Sequence, residues 1–139
     1  MAPPEGRTKE GFETQFGTNH RAHFLLFNLF RTALLDGAAP ECASRVVILS
    51  SIIHWFAKVN YDDVKFESGY DAMVAYGSSK TANLWTSNDI DRRYGPQGIH
   101  SWSVQPGAVL TNLSQHMPDE QKAGVAADRF LATIFKNPD

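Results

Sequence analysis

The chain has a single cysteine, Cys42, among its 139 residues. That excludes an internal disulfide and points to a reducing compartment. A basic surplus is missing too: 13 Lys and Arg stand against 15 Asp and Glu, for a formal net charge of −2. Such a balance gives no general field for nucleic acid or anionic lipid, and no Lys/Arg run marks a local one. Long apolar runs are also absent. The most apolar stretch, Phe24 to Leu35, is broken by Asn28 and Arg31 and falls short of the ~20 residues that a membrane span needs. The Pro/Gly-rich start, Met1 to Arg7, has no apolar centre of the signal-peptide kind. Metal-ligand spacing is lacking as well. His20 and His23 are a helical turn apart without a matching third ligand, and His54, His100 and His116 are scattered. The expectation is a soluble cytoplasmic domain with no metal, no nucleic-acid partner and no membrane span.

What is present is the composition of a globular domain, 42% hydrophobic and 20% charged. Residues 1–7 read as a disordered lead-in. Thr8 can cap a helix, and Phe12, Phe16, Asn19, His23, Leu26, Phe27, Phe30 and Leu34 then recur at helical steps along a mostly apolar face. Asp36-Gly37 ends it. Arg45-Val-Val-Ile-Leu-Ser-Ser51 is a short β-branched run, the pattern of a parallel strand buried on both faces. Ile52 to Gly69 reads as a long loop with a turn near Asn60 to Asp63. Loops of that length are uncommon without a functional reason.

A second helix is expected over Asp71 to Tyr94, stopped by Gly95-Pro-Gln-Gly98. A second strand follows over Ile99 to Gln105, with Pro106-Gly107 closing it, and a last helix over Glu120 to Phe135. The fold class is therefore α/β. The order is helix, strand, helix, strand, helix, with parallel strands joined by a crossover. Two strands need neighbours to cover their apolar faces, so marginal stability and aggregation are expected of the chain alone.

The sharpest chemical signal is Tyr76-Gly-Ser-Ser-Lys80, which puts a phenol and an ammonium on one helix face at i and i+4. A nearby cation favours the phenolate and fits the phenol for proton transfer. By composition such a pair arises by chance in roughly a quarter of chains this long, so alone it reads as readily as a surface contact. Ser50-Ser51 end the first strand, at the sheet edge where open α/β sheets bind ligands. Singly they read as a turn. Asn19 is a polar amide on an apolar helix face, which needs a hydrogen-bond partner.

In order, these pieces are Gly11-Phe-Glu-Thr-Gln-Phe-Gly-Thr-Asn-His20, Arg45-Val-Val-Ile-Leu-Ser-Ser51, Ala75-Tyr-Gly-Ser-Ser-Lys-Thr-Ala-Asn83 and Val104-Gln-Pro-Gly-Ala-Val-Leu-Thr111. Together they resemble the short-chain dehydrogenase/reductase superfamily, with wording closest to its retinol-dehydrogenase-like and WW-domain-oxidoreductase-like members. The resemblance implies a partial Rossmann-like fold, with residues 8–139 as the catalytic half. It implies Tyr76 as general acid/base and Lys80 as the group that holds the nicotinamide ribose and lowers the tyrosine pKa. Ser51 would polarise the substrate carbonyl, and Asn19 would hold a water linking Lys80 to solvent. Val109 and Thr111 would touch the nicotinamide end of the cofactor, NADP or NAD. The substrate would be a small alcohol or carbonyl compound, hydrophobic by the character of Ile52, Ile53, Trp55 and Phe56.

Relatives also dimerise through the helices corresponding to residues 8–36 and 71–94. Neither the family's G-x-x-x-G-x-G turn nor its Asn-Asn strand end occurs in the chain, and relatives continue beyond Asp139. A truncated chain is therefore expected. The alternative is an inactive fragment that pairs with a full-length relative.

Overall fold

In a computed structural model, residues 1–109, 112, 115–116, 119–120 and 135–136 are described. Helix α1 (Thr14–Phe16) runs through a π-helical turn (Gly17–Arg21) into α2 (Ala22–Asp36). The helix begins six residues later than Thr8. Gly11 adopts φ 81°, a left-handed conformation that breaks the chain away from helix. Glu13 then caps the real start, its carboxylate accepting from the Gln15 and Phe16 amides at 2.8 and 2.7 Å. Residues 1–7 run against the body: the Ala2 amide donates to Gln15 Oε1 at 3.0 Å and the Tyr70 hydroxyl to the Pro3 carbonyl at 2.8 Å.

Strand β1 (Ser44–Leu49) pairs in parallel with β2 (Ile99–Val104), from Ser44 opposite Ile99 to Leu49 opposite Val104. Helix α3 (Ala72–Tyr94) makes the crossover between them; Asp71, the first residue of the expected helix, is its N-cap. Phe27 of α2, Ile90 of α3 and Ile99 of β2 form the buried core. The polar residues of β2 are also accounted for. Ser101 is hydrogen-bonded to Ser87 of α3 at 2.9 Å, and Asp91 Oδ1 accepts from His100 Nδ1 and the Ser101 amide at 3.0 and 3.1 Å. Such partners make a polar strand tolerable in contact with a helix.

The expectation that β1 is buried on both faces is corrected. Its burial alternates, leaving Val47 61% and Leu49 56% exposed, because among the described residues its sheet has two strands and one covering layer. On α2, Phe24, Leu25, Leu26, Leu29 and Phe30 are exposed as well.

The long loop contains two 3-10 turns, Ile52–Trp55 and Tyr61–Asp63. Hydrogen bonds and a ring stack bind it to α3. Ser78 Oγ donates to the Lys58 carbonyl at 2.7 Å, Thr81 Oγ1 donates to the Ala57 carbonyl at 2.6 Å, and Tyr61 stacks on Trp85. Beyond Gly107, β3 (Ala108–Val109) pairs in parallel with β4 (Phe135–Lys136). Most of the expected last helix lies outside the described residues, and Phe135, its expected end, is in a strand.

Candidate active site

Ser51 leaves β1 and caps the 3-10 turn, its hydroxyl accepting from the Ile53 amide at 3.4 Å. Its neighbour Ser50 is buried and committed elsewhere: the Ser50 hydroxyl donates to the Lys80 carbonyl at 2.9 Å, and its amide to the Val104 carbonyl. The two adjacent serines therefore do different work. Ser50 ties the strand end to α3, and Ser51 stands at the turn that packs against α3, where it favours the charged form of the Tyr76 phenol.

Tyr76 is buried where α3 meets this turn. Burial raises its phenol above the ordinary value because the charged form is penalised, and the Ser51 hydroxyl acts the other way. The direction is opposite to the lowering expected from Lys80. The Lys80 ammonium lies 5.5 Å from the Tyr76 ring centroid and donates to the Leu49 carbonyl at 3.3 Å. Burial lowers its own pKa.

Gly77 permits this close packing. A Cβ there would fall 2.5 Å from the Ala57 Cβ and 3.2 Å from the Ile53 carbonyl oxygen.

Asn19 reaches the same corner from the π-helical turn. Its Nδ2 donates to Ser79 Oγ at 3.1 Å, and Ser79 Oγ donates to the Tyr76 carbonyl at 2.6 Å. Turns of this type displace a carbonyl from the regular ladder and recur at functional sites. Within this turn the Asn19 carbonyl contacts His23 Nδ1 at 3.1 Å and accepts from Asn83 Nδ2 at 3.0 Å. Asn83 is the residue that sequence reasoning passed over. Its signal is its place two turns beyond Tyr76 on the same helix, where a buried amide needs partners.

The structure thus brings Asn19, Ser51, Tyr76 and Lys80 to one corner. For Val109 it gives the backbone within β3, and Thr111 lies outside the described residues.

A cleft of about 570 Å³ between α2 and β1 is lined by Asn19, Leu49, Lys80 and Asn83 among others. Lys80 carries three N–H donors and bonds one acceptor among the described residues, so it has donors to offer a polyhydroxyl ligand at that cleft. This fits the ribose end of a nicotinamide cofactor. Among the described residues no group of three or more His, Cys, Asp or Glu could hold a metal ion, and no helix is long and apolar enough to cross a membrane.

No protein-family model matches the chain. It is 42% identical over 137 residues to the short-chain dehydrogenase/reductase prx1 of Penicillium roqueforti, covering 99% of this chain and 40% of that protein. It is 38% identical to retinol dehydrogenase 14 of Mus musculus, covering 97% of this chain and 39% of that protein. A crystal structure of an uncharacterised Mycobacterium paratuberculosis protein superposes with a TM-score of 0.67 at 33% identity, over 99% of this chain and 50% of that one. The chain belongs to the short-chain dehydrogenase/reductase superfamily and has its α/β, Rossmann-like fold. It spans about two fifths of the length of the curated relatives it matches.

Proposed function

We propose that the chain carries the catalytic residues of an NAD(P)-dependent oxidoreductase that interconverts an alcohol with a ketone or aldehyde. The observation that carries this reading is the convergence of Ser51, Tyr76 and Lys80, with Asn19 joined to the Tyr76 carbonyl by two hydrogen bonds through Ser79. In this reading the nicotinamide, when bound, supplies or accepts the hydride.

The chain's own residues handle the proton. The Ser51 hydroxyl donates to the substrate oxygen as charge develops there. The Tyr76 phenol gives its proton to that oxygen in reduction and takes it back in oxidation. Burial keeps the phenol protonated, which suits the reducing direction; oxidation needs the Lys80 cation to favour the phenolate. Lys80 holds the ribose hydroxyls, and Asn19 holds a water that connects Lys80 to solvent. Val109 and Thr111 contact the nicotinamide end. NADP is favoured over NAD by the subgroup resembled, and the helices over residues 8–36 and 71–94 pair two chains.

The substrate is apolar in this reading. Trp55 and Phe56, just past Ser51, are 72% and 77% exposed and offer an apolar wall beside the hydroxyl. Fluorescence titration of the purified chain with NADPH and NADH, followed by NADPH oxidation with a panel of apolar aldehydes and ketones, tests the proposal. Saturable binding with carbonyl-dependent oxidation supports it. Binding of neither nucleotide contradicts it.

A further inference from the structure

We propose that Asn83 is a positioning residue for this reaction, the clamp that holds the Asn19 turn and the end of β1 at fixed distance from Tyr76 and Lys80. The inference rests on the functional reading above.

Asn83 is buried and follows Lys80 by one turn of α3. Its Nδ2 donates to the Asn19 carbonyl and to the Leu49 carbonyl, both at 3.0 Å. Its Oδ1 lies 3.2 Å from His20 Nδ1. The orientation of the amide follows from its partners. Two carbonyl oxygens can only accept, so the nitrogen faces them, and Oδ1 then accepts from a protonated Nδ1 of His20. Both N–H donors of the side chain are in use, and its oxygen has a partner.

The partners are what give the clamp a catalytic meaning. Leu49 lies two residues before Ser51, and its carbonyl also receives the Lys80 ammonium at 3.3 Å. The Asn19 carbonyl belongs to the π-helical turn, so this bond ties that turn to α3. One side chain therefore sets the spacing of three elements that carry Asn19, Ser51 and the Tyr76/Lys80 pair. It contacts none of the reacting atoms. Loss of the clamp lets these elements drift by fractions of an ångström, and misplacement of about 1 Å is enough to cost on the order of 100-fold in rate.

The test compares Asn83→Ala and the isosteric Asn83→Asp with Ser87→Ala, using NADPH and octanal as the probe pair. Ser87 also makes a buried hydrogen bond from α3, but towards Ser101 of β2 and away from the site. The expected result is a fall in kcat of about 10- to 100-fold for both Asn83 variants. KM for octanal and NADPH stays within about twofold. Ser87→Ala lowers Tm while keeping kcat. If Asn83→Ala does not fold, Asn83→Asp carries the comparison, since it keeps the shape and the His20 acceptor and loses both donors. Asn83 variants that keep wild-type kcat, or lose it only in step with the folded fraction as Ser87→Ala does, overturn the clamp while leaving the functional reading intact. A wild-type chain without turnover overturns that reading and the clamp with it.

Discussion

Replacing Gly77 by alanine sets two effects of known sign against each other. In a helix interior alanine is favoured over glycine by about 1 kcal/mol, so helix propensity alone makes Gly77→Ala stabilising. The structure opposes this. The added Cβ would lie 2.5 Å from the Ala57 Cβ, where carbon atoms in contact rest at about 3.5–4.0 Å. Helix and loop must therefore part by about 1 Å. The loop resists, because Thr81 Oγ1 donates to the Ala57 and His54 carbonyls and Ser78 Oγ to the Lys58 carbonyl.

Overpacking of this kind costs about 1–3 kcal/mol. The net is a loss of up to about 2 kcal/mol, and a fall in Tm of up to about 8 °C for a chain of this size. The Ile53 carbonyl, 3.2 Å from the new methyl, would move as well, so the turn that Ser51 caps is displaced from Tyr76. The assay is a thermal melt of Gly77→Ala beside the double variant Gly77→Ala/Ala57→Gly, in which the second change removes the colliding methyl. The double variant should recover most of the lost Tm. A single variant as stable as the parent or more so, with the double variant no better, would refute the packing argument.

Two further outcomes follow from the surface and from the titration of His20. Burial lowers the His20 pKa, so the unfolded chain binds a proton that the folded chain refuses in the window from the unfolded value, near 6.5, down to the folded one. Stability should drop as pH falls through that window, and Tm measured from about pH 7.5 to 5 should lose part of this slope in His20→Asn. An unchanged slope would contradict the assignment. On α2, Leu29 is 71% exposed among a cluster of apolar neighbours. Leu29→Lys should raise the concentration at which light scattering begins, with little change in Tm, because exposed apolar patches drive association rather than folding.

The elements legible in the sequence were those with local causes. Asp71 accepts from the Met73 and Val74 amides, and Gly95-Pro-Gln-Gly98 makes a 3-10 turn, so α3 could be bounded almost to the residue. β1 was legible from its β-branched run, and β2, more polar at His100, Ser101 and Ser103, from the Gly-Pro and Pro-Gly turns on either side of it. The start of the first helix was misjudged because Thr8 is the commoner capping type, whereas Glu13 caps through a buried carboxylate that no local preference favours. Strand burial was misjudged because a β-branched run reports the capacity to be covered on both faces, not the presence of neighbours.

At the site, Tyr76 and Lys80 announce themselves by spacing, and Ser51 by its place at a strand end. Their mutual approach depends on long-range contacts of a kind no local pattern encodes. The Asn83 contacts to Asn19 and Leu49 and the fit of Gly77 against Ala57 are of this type. So is the direction of the Tyr76 pKa, which follows from burial in the folded chain.

The measurement that bears most directly on the central claim is Tyr76→Phe, assayed for NADPH oxidation with an apolar aldehyde and for NADPH binding by fluorescence. The substitution removes the phenolic oxygen and leaves the ring that packs beneath the Lys80 ammonium. The account predicts near-complete loss of turnover with nucleotide affinity largely retained. Substantial turnover in Tyr76→Phe would contradict the role given to this residue.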